Sequence, residues 1–248
     1  MESGLPPSAP TGLLALLQEV QPFATPMTLC RRLLEQDLMA GRVPPSERTH
    51  MVQSSVDDGY AQADELATRL NSRDPAFLTQ ALGVAIIPIQ TDSRYGDTLC
   101  FADYTAKPPT IHLYEQAIAR IDQHLRQQAV AEVLGLNSCA PAFVAHELYH
   151  HLDNLRTQPI GRQHRVTLLQ LGPWRLTSGL SILAEIAAGA FAQRLLGLPM
   201  HAAILDLVAQ FDESPELAMG RAKSLAACSG PHPALTIDMP LDIGQVPG

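Results

Sequence analysis

Residues 181–196, SILAEIAAGAFAQRLL, form an apolar run at helical length with one acidic residue, Glu185, inside it. Between Asn154 and Leu205 it is the only carboxylate in the chain. A carboxylate buried without a partner costs several kcal/mol, so any fold that packs this helix must supply a cation, or let Glu185 reach solvent or an arginine such as Arg175 or Arg194. The small residues around it (Ala184, Ala187, Ala188, Gly189, Ala190 and Ala192) permit close approach of a second helix.

The candidate for that second helix lies upstream. Residues 145–153 read AHELYHHLD, with Pro141 where the first turn of a helix belongs. Positions i and i+4 of a helix share a face, so His146 and His150 can direct two imidazoles at one ion, with Glu147 beside them to accept a proton from a metal-bound water. Phe143 and Asp153 belong to the same face; Val144, Leu148, Leu152 and Leu155 form the apolar stripe opposite. The spacing alone also fits a histidine-rich surface helix. Glu185 is what tips the reading, because a catalytic zinc takes three protein ligands and leaves one position open. The expected set is therefore His146, His150 and Glu185 as metal ligands, with Glu147 as general base. Asp153 is expected at the edge of the site or exposed, His151 off the site face, and His164 and His201 in loops or at the surface. Arg156, six residues past His150, stands where metzincins carry a third histidine, which excludes that class.

The remaining chain reads as α+β with helix dominant. Helical patterns cover 12–20 and 26–40, and Pro44–Pro45 open a longer helix through about Asn71. Asp74–Pro75 start a short helix ending near Gly83. Three short runs rich in strand-forming residues follow, VAIIPI (84–89), DTLCFADY (97–104) and PTIHLYE (109–115). A helix is expected over 116–134, a loop over 157–174, a helix over 177–196, and two more near 201–211 and 214–228. Three segments are expected: an N-terminal helical extension at 1–50, a central domain at 51–200, and C-terminal helices with a Pro-rich tail at 201–248. Residues 1–10 read as loose, and the tail SGPHPALTIDMPLDIGQVPG as disordered or an extended arm.

With 248 residues the chain can bury roughly 70–75% of its unfolded surface and sustain a shaped cavity. A net charge of −8, with few clustered Lys or Arg, argues against nucleic acid as a partner. The four cysteines have neither a zinc-finger spacing nor the density of a disulfide-stapled domain. With no signal peptide and no apolar stretch of spanning length, the expectation is a cytoplasmic protein without a membrane partner.

The two site segments together resemble the ImmA/IrrE-like metallopeptidases. That family shows A-H-E-L-x-H, here Ala145-His146-Glu147-Leu148-Tyr149-His150, and then E-x-x-A-x-x-F-A-x-x-L-L, here Glu185, Ala188, Phe191, Ala192, Leu195 and Leu196, with Pro199 beyond. ALGVAIIPI and PTIHLYEQAI are similar to its strands, so the likeness spans roughly residues 55–200. It implies a zincin-like minimal fold, a small three-stranded sheet packed on the active-site helices, and a zinc site of gluzincin type that hydrolyses a peptide bond in a protein or peptide substrate. The alternative is a regulatory or binding module that keeps the scaffold without proteolysis. Tyr149 stands where the family has a small glycine, which predicts a narrower cleft.

Overall fold

The prolines and polar caps of the N-terminal half delimit its helices as a sequence of stops and starts. The computed structural model describes residues 12–95, 98–172 and 174–228. Helix α1 spans Leu13–Val20 and α2 spans Pro26–Gln36, where Pro26 follows Thr25, whose side chain accepts from the Thr28 amide at 3.1 Å. A 3₁₀ turn at Ala40–Arg42 leads to α3, Pro45–Leu70, and α4 is Pro75–Ala81, capped by Asp74. Both α3 and α4 open on a proline, which gives up only an amide that a first turn leaves unpaired.

Strands β1 (Ala85–Ile89), β4 (Ala102–Ala106) and β5 (Pro109–Tyr114) make a sheet in the order β1-β5-β4, parallel between β1 and β5 and antiparallel between β5 and β4. The middle sequence run divides. Its first part is β3 (Thr98–Cys100), which pairs with β2 (Ser93–Tyr95) as a separate ribbon, and only the second part joins the sheet. One sheet face packs on the next helices through Ile111, Val84 and Val144.

The helix expected over 116–134 is two: α5 (Glu115–Leu125) and α6 (Gln128–Leu134), parted by Gln127 in extended backbone. The change of direction brings Val130 and Leu134 into one cluster with Ile121 and Leu125. Helix α7, Ala140–Asn154, carries the histidine motif. A short α8 (Ile160–Gln163) follows, and the segment expected as loop is then a hairpin, β6 (Arg165–Leu171) with β7 (Trp174–Gly179). The hairpin takes residues 177–179 from the next helix, so α9 begins at Ile182 and ends at Leu196, with Gly197 at φ +67° as its stop. Helices α10 (Ile204–Glu213) and α11 (Pro215–Cys228) complete the described chain.

The fold is thus α+β with helix dominant. Helix α9 lies at its centre between α3 and α7, its alanines and Phe191 packed against Leu66 and Tyr149. The flanking helices are not set apart from the middle of the chain: position 50 falls inside α3, and Leu17, Val208 and Leu225 share a cluster with Ile121 and Ala142. Cys30, Cys100 and Cys139 are free thiols, and burial pushes all three upward. Among the described residues no helix is long and apolar enough to cross a membrane. The loose N-terminus and the tail expected from composition lie outside the described residues.

Candidate metal centre

Two packing contacts bring the site together. Helix α7 is anchored by Val144 to the sheet and by Leu148 to the small residues of α9, which leaves His146 and His150 facing α9's first turn. There Glu185 turns its carboxylate to both. The Nε2 atoms of His146 and His150 lie 3.2 Å apart. Glu185 Oε2 is 3.1 Å from His146 Nε2, and its Oε1 is 3.4 Å from His150 Nε2. Four ligands at about 2.0–2.2 Å around a zinc-sized ion stand about 3.3–3.6 Å from one another in a tetrahedron. The observed triangle has those edges within a few tenths of an ångström. Two imidazole nitrogens and a carboxylate aimed at one point are an arrangement that a cation would complete.

Glu147 occupies a different place. One of its oxygens lies within 4.8 Å of the histidine nitrogens, yet it makes neither hydrogen bond nor ion pair with them. It belongs to the buried side of the site and lines the adjacent cavity. His146, His150 and Glu147 thus form a group able to hold a metal, while Glu185 is nearer to both histidines than Glu147 is. On distance Glu185 fits a third-ligand position better than Glu147, which lies off the triangle toward the cavity.

The electrostatics of the site's own residues follow the same geometry. Burial would push His146 down, but its hydrogen bond and charge interaction with Glu185 outweigh that and raise it. For Glu185, burial acts upward, and the contacts to His146 and His150 overcome it and hold the carboxyl far below its usual range. Burial raises Glu147; the two histidines pull it down, and the charges of Glu185 and Asp103 add to the rise.

Of the alternatives for Glu185, solvent is met in part, since its side chain is 50% exposed as well as bonded to the histidines; the Arg194 guanidinium is bound instead to Asp64 at 2.9 and 3.0 Å, and the side chain of Arg175 is outside the described residues. Tyr149 does not narrow the cleft. Its ring is fully buried on the α3 side, and its hydroxyl donates to Asp58 at 2.5 Å. Asp58 also accepts from Arg156 at 2.9 Å, so the residue that excludes a metzincin site is bound up in α3–α7 packing. Asp153 is buried instead of exposed, accepting from the Ile160 amide at 2.9 Å. His151 is off the site face, with its Nδ1 2.9 Å from the Tyr104 hydroxyl. Leu155, expected in the apolar stripe, is 69% exposed past the end of α7. His164 packs edge-on to His50, away from the site.

Two residues near the centre carry no sequence signal. His201, expected at the surface, is fully buried against Gly189, where an added Cβ would lie 2.2 Å from its ring. Gly189 therefore makes room for His201 and not for α7. Asp206, in the first turn of α10, opens on the cavity that borders His146, Glu147 and Glu185. That cavity has a volume of about 350 Å³ and walls of Leu99, Phe101, Phe143 and Leu205. On the other side of His150 a wider cleft of about 590 Å³ runs between Tyr104 of β4 and Ser178 of β7. Comparison with protein-family models, curated proteins and solved structures finds no match to this chain.

Proposed function

We propose that this chain is a zinc-dependent metallopeptidase of HExxH type, in a zincin-like fold akin to the ImmA/IrrE-like enzymes, that hydrolyses a peptide bond in a protein or peptide substrate. The observation that carries the reading is the triangle of His146, His150 and Glu185 at 3.1–3.4 Å with Glu147 beside it and space in front. Bound there, zinc supplies a Lewis acid that polarises a carbonyl and brings the pKa of water towards 7. Glu147 takes the proton of the attacking water and returns it to the leaving amine, a role worth about 10²–10⁴ in rate. Its burial keeps that carboxyl above its ordinary range, closer to the working pH of a general base.

The substrate's place follows from the sheet. Strand β4 is the edge of the β1-β5-β4 order and borders the cleft that contains His150. An edge strand offers unpaired backbone groups, so an extended peptide can pair with it and pass the metal centre.

Glu147→Gln tests the reading. The expected result is loss of peptide cleavage by at least about 100-fold with one zinc still bound per chain, measured by peptide turnover and metal analysis. Full turnover in that variant removes Glu147 as base. Zinc binding by the wild-type chain without turnover of any peptide in a library leaves a non-proteolytic scaffold as the answer.

A further inference from the structure

We infer that the cavity beside the metal centre receives a cationic side chain of lysine or arginine type, with Asp206 as the group that recognises it. The inference rests on the metallopeptidase reading for the rest of the substrate.

The walls set the first condition. Leu33, Leu99, Phe101, Phe143, Ile182 and Leu205 surround the space with hydrocarbon, which suits the methylene stem of a long side chain. Apart from the groups of the metal centre, Asp206 is the charged residue that lines it. Its side chain is solvent-exposed where it borders the cavity, and its carboxylate accepts no hydrogen bond from another described residue. Three less exposed carboxylates outside the metal centre are already met by protein donors: Asp58 by Tyr149 and Arg156, Asp122 by Ser138 and the Cys139 amide, Asp212 by Arg120 and His124. Arg221 is the cation whose charge reaches Asp206, but its guanidinium is directed to Gln36 at 3.0 Å and Gln210 at 3.5 Å.

Asp206 stands apart from the metal ligands, because no hydrogen bond or ion pair joins it to His146 or His150 as the contacts of Glu185 do. With a divalent ion at the histidines, the carboxylates of Glu147, Glu185 and Asp206 still leave one negative charge. A single ammonium or guanidinium, brought in on an apolar stem, neutralises it and gives Asp206 a charge-assisted partner in place of water. The free ammonium of a peptide N-terminus has the same charge but no stem to fill the walls.

Three hydroxamates, which chelate the metal and present one side chain, separate these sources. They are Nα-acetyl-lysine hydroxamate, Nα-acetyl-norleucine hydroxamate, and norleucine hydroxamate with its α-amine free. Calorimetry on the zinc-loaded full chain is expected to show the acetyl-lysine compound binding at least about tenfold tighter than acetyl-norleucine. In Asp206→Asn the ratio falls to within about twofold, while zinc content and acetyl-norleucine binding stay unchanged, which also reports an intact fold. A ratio near one in the wild type, a ratio retained in Asp206→Asn, or no binding of the lysine compound overturns the inference. Tighter binding of the uncapped norleucine compound that depends on Asp206 overturns the side-chain assignment in favour of a peptide N-terminus. These ratios need no turnover, so a chain that shows them but cleaves nothing fails only the peptidase reading. Cleavage without preference for lysine or arginine fails only the present one.

Discussion

Among the buried polar residues, His201 has little freedom of protonation. Its Nε2 lies 3.1 Å from the Ile186 carbonyl, to which it must donate, and its Nδ1 lies 3.2 Å from the Ala203 amide, from which it must accept. That pair of bonds specifies one neutral tautomer. Burial, only partly opposed by the Ile186 bond, lowers its pKa from 6.5 to about 4. A base whose folded pKa is depressed contributes in full above its unfolded value and loses that contribution as pH falls towards the folded one. Stability is therefore expected to fall by roughly 3 kcal/mol between about pH 6.5 and pH 4 from this group alone. Denaturant melts across that window check the slope, which His201→Asn should flatten. A carbonyl acceptor fifteen positions earlier in the chain cannot be read from the residues around His201, which is why the sequence suggested a surface histidine.

Helix pairs decide the next level. Helices α3 and α9 approach so closely that a Cβ on Gly59 would lie 2.2 Å from the Ala187 carbonyl oxygen and 2.9 Å from the Phe191 amide. Backbone cannot yield as a flexible side chain can. Gly59→Ala is expected to destabilise by about 2–3 kcal/mol despite the better helix propensity of alanine, whereas Gly41→Ala, with nothing within 4 Å, changes stability little. Thermal or urea melts of the two variants decide the point. In sequence Gly59 reads only as a weak position in a long helix; its partner helix is what explains it. The β6–β7 ribbon was hidden for a related reason. Leu169 pairs with Leu176 and Leu171 with Trp174 on one face, and all four are more than half exposed, so the apolar-in, polar-out alternation that announces a strand is absent. Strands β1, β4 and β5 lie in runs of strand-forming residues between turn residues, and each was legible from that.

For the whole molecule, the candidate metal centre is a tie between α7 and α9, two helices whose hydrogen-bonded site residues are 39 positions apart. An ion that binds only the folded arrangement adds stability by mass action, about 4 kcal/mol at a thousand times its dissociation constant. Removal of zinc with EDTA is therefore expected to lower the melting temperature by roughly 10 °C in a chain of this length. Glu185→Ala should start low and respond little to the chelator. A wild-type melt indifferent to EDTA and added zinc would count against any ion at this site.

What the sequence determined by itself is local: the one-turn spacing of His146 and His150, the proline and cap positions that start α3, α4 and α7, and the runs that hold the sheet strands β1, β4 and β5. Each depends on backbone geometry and near neighbours, whose periods are written along the chain. It also singled out Glu185, because one carboxylate in an apolar helix is conspicuous without any fold. Only the tertiary structure decided that Glu185 stands 3.1 Å from His146, that Tyr149 turns away to Asp58, and that Asp206 opens unpaired on the cavity. Those outcomes depend on how α3, α7, α9 and α10 pack across long separations in sequence, and helix packing is chosen by the fit of whole faces, which no local pattern records.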